Sequence, residues 1–403
     1  MARLFPIARD ALRADQRRFH DAVRAIRRRP ISGPFIVTMN SSPDLAARFA
    51  HLGHYFHARG QADESIVSIR ARSYISLIGS RALDAPYEWG AWVNWALDAG
   101  VPQATVDAIR VGATPASLTS EEALAGELCA QLISGNHRVG DVTFNAALQH
   151  FGAQGLVEVV LTLGYFAMIA LPLNAFEIEM TPEQQSLRKP YAPLLVGQNA
   201  GGDSTAEIRR VPPLSGASSG SARLPLLQSH DDVAPEHQHF VDRIVRTRGG
   251  ISPVFQILLH APDVAERVAH VGDFFLFNSV LSPSIKALTG LIAAREIDSD
   301  YAWMASARAG RAAGLDAGTI AQIGHGEPLT RITSEQRTLV DFCYPLLRDN
   351  HHVSDIAYEA AVRQFGVAAA VQIAGMLGYV LMLGWIANAF EIPISEQDTM
   401  PAL

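Results

Sequence analysis

Apolar residues along this chain recur at three- and four-residue spacing, as in the run Phe19, Val23 and Ile26. No stretch sustains the strict alternation of a half-buried strand. The pattern predicts helices almost throughout, an all-α chain. Pro43 and Asp44 mark one helix start, with Pro early and an acid near the positive end of the dipole. Asp141 in VGDVTF and Asp355 in VSDIAY open two more, in an expected capping role. From Val367 to Ala387 the chain is apolar except for Gln372, about the length of a membrane span. Its counterpart in the first half contains Glu158 and Pro172, and no basic flank marks an inside face. A helix apolar all round and outside a membrane is buried in a domain or at a subunit interface. Burial is therefore expected, with no membrane partner and with assembly of copies through the C-terminal helices.

The chain has such counterparts because it says nearly the same thing twice. YEWGAWVNWALDAGV (87–101) returns as YAWMASARAGRAAGL (301–315), and the segment from Asn136 to Glu177 returns from Asn350 to Glu391. The register is constant: 301 − 87 = 214 and 391 − 177 = 214. Upstream, Pro43, Asp44, His51 and Gly53 answer Pro262, Asp263, His270 and Gly272 at an offset of 262 − 43 = 219. Five extra residues, 219 − 214, therefore sit in the first copy within HARGQADESIV, predicting a longer loop there. The stretch from Thr181 to Pro235 is rich in Pro, Gly and Ser and reads as a linker. The expected organisation is a first domain over 1–180, a linker over 181–234 and a second domain over 235–403.

Composition narrows function mainly by exclusion. The charge is mild, 33 − 40 = −7, without a basic stripe or tail, so no nucleic-acid partner is expected. Cys129 and Cys343 are equivalents in apolar helical contexts without a CxxC neighbour, which reads as buried thiols and no zinc site. The first twenty residues carry Arg and Asp throughout and no apolar core, so no signal peptide is visible and a reducing cytoplasm is expected.

In the YEW segment and in NHRVGDVTF…LGYF…LNAFEI, the chain resembles the carboxymuconolactone decarboxylase family, the helical superfamily that includes the AhpD alkylhydroperoxidases. PD…G, YxW…A…G, N-H-x-V-x-D and NAFE occur in order and in duplicate, over about 33–178 and 250–392. The resemblance implies two tandem compact helical domains that assemble further into homo-oligomers, a fused pair imitating a dimer. In the peroxidase branch a Glu, two cysteines and a His do the chemistry. Registered on YxW, the Glu place falls on Ser73 and Ala287, and the cysteine places on Ala85 and Glu88, then Ser299 and Ala302. The His place falls on Trp92 and Ser306. Without a thiolate or its base, thiol peroxidase chemistry is excluded. The decarboxylase branch needs only acid–base groups to protonate the dienolate left by loss of CO2. Glu88 survives for that role in the first copy, while its counterpart is Ala302.

The expected function is a lyase or isomerase acting on a small carboxylated or lactone-like molecule, with no metal and no cofactor. Glu88 is the candidate acid–base residue, with His137 assisting and Tyr87, Trp89, Trp92, His51 and His351 binding the small-molecule ligand. Each has a plainer reading. Glu88 can pair with Arg70, Arg72 or Arg81; His137 and His351 can tie a turn to a carbonyl; His51 and His270 can be satisfied core histidines. Trp89, Trp92 and Trp95 form a stripe that is ordinarily core, although Trp92 in the family's His place is expected to line a pocket. His51, His54 and His57 share a helical face, but the second copy reads His270, Asp273, Leu276 and no acid motif accompanies them, so a metal site is not expected. The competing class is a non-catalytic ligand-binding or scaffold protein that has lost the family's catalytic set.

Overall fold

The computed structural model describes residues 2–28, 30–57, 64–187, 221–348 and 350–394, and every regular element among them is helical. The first half runs α1 (Arg17–Arg27), α2 (Pro34–Ser41), α3 (Pro43–His57), α4 (Ile69–Ala82), α5 (Pro86–Asp98), α6 (Gln103–Arg110), α7 (Ser120–Ile133) and α8 (Asp141–Phe176). After a short α9 (Pro182–Leu187) the series repeats as α10 (Gln238–Arg248), α11 (Pro253–Leu258), α12 (Pro262–Asp273), α13 (Pro283–Glu296), α14 (Asp300–Ala312), α15 (Ala317–His325), α16 (Ser334–Leu347) and α17 (Asp355–Ala389). The sequence repeat is thus a repeat of helices, α1–α8 answering α10–α17. Most of the stretch read as a linker, and residues 58–63 of the longer loop, lie outside the described residues.

The centre is the pair α8 and α17. Both are long and apolar enough to cross a membrane, yet the most apolar stretch is 100% enclosed within the protein in α8 and 83% enclosed in α17. They are spent on each other. Where they cross, Gly164 of α8 faces Met382 of α17, and Gly378 of α17 faces Met168 of α8. A Cβ at Gly164 would lie 2.9 Å from the Met382 Cα, and one at Gly378 would overlap the Met168 backbone outright. Only glycine permits that approach. Most of the apolar surface of α17 is thus covered by α8 of the same chain. Each long helix also breaks once, at Gly152 (φ 65°) and Gly366 (φ 81°), equivalent positions in the left-handed region that favours glycine.

Buried polar residues on these helices anchor other segments of the chain. Glu158 is buried and accepts from Tyr55 Oη at 2.7 Å, Gln154 Nε2 at 2.9 Å, Ser65 Oγ at 2.5 Å and the Ile66 amide at 3.0 Å. It pins the chain that follows the longer loop. Its counterpart Gln372 accepts from Ser279 Oγ at 2.8 Å and donates to Ser42 Oγ at 2.8 Å, reaching into the other half. Asn174 and Asn388 of the two NAFE motifs donate to the carbonyls of Leu83 and Ile297, locking the ends of α4 and α13.

Two arginines strap the halves together. Arg3 donates to the Ala175 and Val353 carbonyls at 2.8 and 2.9 Å and to Asp355 at 2.5 Å. Arg223 does the same with Val139 at 2.6 Å, Asp141 at 2.6 Å and Glu391 at 2.7 Å. The capping role expected for Asp141 and Asp355 is therefore corrected. Both sit one residue inside their helices, where Gly140 and Ser354 hold the cap positions, and their carboxylates serve the straps. Arg223 also places the counterpart of Arg3 within the last part of the stretch read as linker.

The halves meet again between α3 and α12. His51 and His270 touch edge-on with ring centroids 5.9 Å apart. Arg48, paired with Asp44, donates to the His270 carbonyl at 2.6 Å, and Arg267, paired with Asp263, donates to the His51 carbonyl at 3.1 Å. Burial, then Arg267, pushes His51 down to about 4, and burial, then Arg48, lowers His270.

Replacing Gly378 by Ala should destabilise the protein by about 2–4 kcal/mol in urea titrations, because the clash is with backbone. Gly250→Ala, where an added Cβ meets nothing within 4 Å, should be near neutral. An unfolded histidine titrates near 6.5, so between about 6.5 and 4 the unfolded chain takes up protons that folded His51 refuses. Stability should be full above that window and fall as pH drops through it. Thermal melts of His51→Gln should show a shallower fall, by about 1–2 kcal/mol at the acid end after allowing for solvent screening.

Candidate functional site

Five segments of the first half surround a cavity of about 280 Å³: the end of α1 at Arg27, residues 32–35 at the start of α2, the end of α3 at His57, α5, and α8 at Tyr165 and Ile169, with 181–184 across the mouth. The local sequence explains the placement. Pro86 starts α5 at its first position, so Glu88 falls in the first turn and Trp92 one turn later on the same face. Trp92 Nε1 donates to Glu88 Oε2 at 3.0 Å, with Glu88 3% and Trp92 5% exposed. Trp95 continues the wall, its ring 5.3 Å from that of Trp92. His57 packs at 5.0 Å from Trp92 and 5.6 Å from Tyr165.

The mouth is covered by α9. Thr181 and Gln184 cap its first turn reciprocally, at 2.9 and 3.2 Å, with Pro182 between them. Glu183 accepts from Asn94 of α5 at 2.8 Å. The backbone of Gln184 sits so close to Gly90 that an added Cβ would be 3.1 Å from its Cα and O. Gly90 is therefore the seat of the cover.

The equivalent place in the second half is nearly closed. Arg248, Phe255, Tyr301, Ala302, Val380 and Leu383 leave about 10 Å³ between them. Ala302 stands for Glu88, Ser306 for Trp92 and Met304 for Gly90, so acid, indole and cover seat are all lost.

Of the residues singled out in the sequence, the structure brings Tyr87, Glu88 and Trp92 together on the cavity. Trp89 is 1% exposed and packs into the core, not the cavity wall. His137 and His351 sit in left-handed turns (φ 57° and 55°), their Nδ1 atoms 2.8 and 3.0 Å from the Leu132 and Leu346 carbonyls. Both tie turns and neither lines the cavity, because the residue in that turn must close the end of α7 or α16. His51 lies at the contact with His270. Arg70 pairs with Glu122 at 2.8 Å, Arg72 donates to the Tyr55 and Phe56 carbonyls, and Arg81 to the Arg110 carbonyl. His51, His54 and His57 diverge, to the α12 contact, to solvent and to the aromatic wall. Arg27, His57, Asn94, Trp95 and Tyr165 are cavity residues that sequence reasoning gave no site role. Tyr165 had a signal in the repeated LGY; Arg27 had one in its alignment with Arg248. Burial raises both cysteine thiols, which are unbridged and remote from the cavity lining.

No family model matches the chain, and comparison with curated proteins and with solved structures yields no match either.

Gly90→Val should displace α9 by forcing the Gln184 backbone away from α5. Expected are a red-shifted tryptophan emission, faster proteolysis after α8 and a stability loss of about 1–3 kcal/mol. Unchanged emission and cleavage would show that α9 does not cover the cavity.

Proposed function

We propose that the chain is a carboxymuconolactone-decarboxylase-like lyase or isomerase, two tandem domains of that helical type, acting on a small carboxylated or lactone-like molecule in the first-half cavity. The observation that carries this reading is the buried carboxyl of Glu88 in the cavity wall, bonded to Trp92. A cavity of about 280 Å³ suits a ligand of about ten to fifteen heavy atoms. In a decarboxylation, the bond to CO2 breaks and its electron pair passes into the conjugated lactone as a dienolate. A proton from Glu88 then quenches that charge at carbon, and water re-protonates Glu88 once the cover opens. Tryptophan and tyrosine rings exclude water and hold a flat substrate. His57, in ring contact with Trp92, takes the assisting place first assigned to His137. The buried thiols suit the reducing cytoplasm proposed for the chain. Self-association into homo-oligomers is also proposed, and the first turn of α17 leaves Ile356 84% exposed for it.

A second reading, a binding protein without turnover, is favoured by the near-closed second cavity, since a copy that lost its site shows the frame persisting without chemistry.

Glu88→Gln keeps the size of the side chain and an acceptor for Trp92. It should lose turnover about a hundredfold or more on the lactone or unsaturated acid that a substrate screen identifies, with an unchanged melting temperature. Retained turnover in that variant would refute Glu88 as the acid–base group, and a fruitless screen would favour the binding reading.

A further inference from the structure

The cover over the first-half cavity is built unlike the walls beneath it. Tyr165 and Ile169 of α8 are 0% and 2% exposed, and Trp92 of α5 is 5% exposed. Side chains so enclosed are freed only when the core around them opens. By contrast α9 is six residues long, too short to hold as a helix by itself. Its side chains from Pro182 to Ser186 are exposed apart from half-buried Gln184, so it gains little from apolar burial. What shapes it is local. The Gln184 amide donates to Thr181 Oγ1 at 3.2 Å, and the Gln185 amide to the Thr181 carbonyl at 2.9 Å. What docks it is slight. Among the described residues its one side-chain hydrogen bond to α5 runs from Asn94 Nδ2 to Glu183 Oε1, at 2.8 Å and exposed. An exposed bond of that kind shifts an equilibrium by about two- to tenfold. The Gln184 backbone adds its close contact on Gly90. Both docking residues are missing from the second half: at the offset 304 − 90 = 214, Met304 stands for Gly90 and Arg308 for Asn94. The seat thus occurs only where there is a cavity to cover.

We propose that α9 is a lid: it undocks from α5 while the cavity walls stay folded, and small molecules enter and leave the first-half cavity through the gap. Asn94 and Glu183 form its latch, and Gly90 is its seat. The inference rests on the reading of this cavity as a ligand site but not on turnover there. Thr181, Glu183 and Gln184 themselves line the cavity, so undocking removes a wall rather than widening a channel. Closed, the lid shields Trp92 and Trp95 from solutes; open, it exposes both.

Native-state hydrogen exchange, together with quenching of tryptophan emission by acrylamide, a small neutral probe, tests this on the full chain. The Gln184 and Gln185 amides should exchange through an opening that urea up to about 1 M leaves unchanged. Amides of α8 beside the cavity should exchange only through an opening that urea promotes. Asn94→Ala should speed exchange at both α9 amides by about two- to tenfold and raise the acrylamide quenching constant. The melting temperature and α8 exchange should stay as they are. Glu183→Ala removes the same bond from the other side and should match it. Arg308→Ala, at the place of Asn94 in the second half, should change neither readout. Amides of α9 that exchange only together with those of α8, or parental rates in both latch variants, would overturn the proposal. Faster exchange without greater quenching would overturn it too, since the opening would then admit nothing, and so would an equal effect of Arg308→Ala. Neither readout needs a substrate. An opening lid without any turnover retains the proposal and removes the lyase reading, while Glu88-dependent turnover beneath a fixed α9 does the reverse.

Discussion

The close crossing of α8 and α17 is the constraint on which the rest of this protein depends. Two helices this apolar must be enclosed, and the chain encloses each with the other. Gly164 and Gly378 let the backbones meet, and any Cβ at Gly378 would press on the main chain of Met168. Tyr165 follows Gly164 directly, Ile169 lies about one turn further on, and both line the cavity. The crossing therefore sets how the halves join and where the site's floor lies. The Arg3 and Arg223 straps and the His51–His270 contact then hold the halves at the periphery, where charge pairs add specificity of docking more than stability.

On this common frame the halves have diverged at few positions. The acid, the indole and the glycine seat for α9 are present once, as Glu88, Trp92 and Gly90, and replaced by Ala302, Ser306 and Met304. The arginine is kept in both, and in the second half Arg248 Nε lies 3.1 Å from Asp273. Glu158 and Gln372 tell the same story for structure: each anchors the loop that enters α4 or α13, one with a carboxylate and one with an amide that also reaches across to Ser42. Duplication kept the packing and let the cavity lining diverge.

Much of the fold was legible because the repeat and the three-to-four spacing are local properties. Helical class, the register and burial of the 367–387 run all follow from them. The breaks at Gly152 and Gly366 were not read, because an isolated glycine within an apolar run carries no local mark of a kink. For the site, Glu88 and Trp92 could be paired from i, i+4 spacing on one helix. Arg27, His57 and Tyr165 come from three other helices, and only the tertiary fold brings them to α5. His137 misled because a histidine that closes a turn in both copies looks like one retained for chemistry; its Nδ1 at the Leu132 carbonyl shows the turn to be its role. Asp141 and Asp355 misled in a similar way, since acids at helix starts cap so often that a strap from elsewhere in the chain goes unforeseen.

The claim at the centre is that one frame holds one open site, in the first half. The most direct measurement is anomalous diffraction from crystals soaked in 4-bromobenzoate. The expected result is a bromine peak in the cavity between Trp92 and α9 and no peak beside Arg248. Equal peaks in both halves, or none in the first-half cavity, would contradict it.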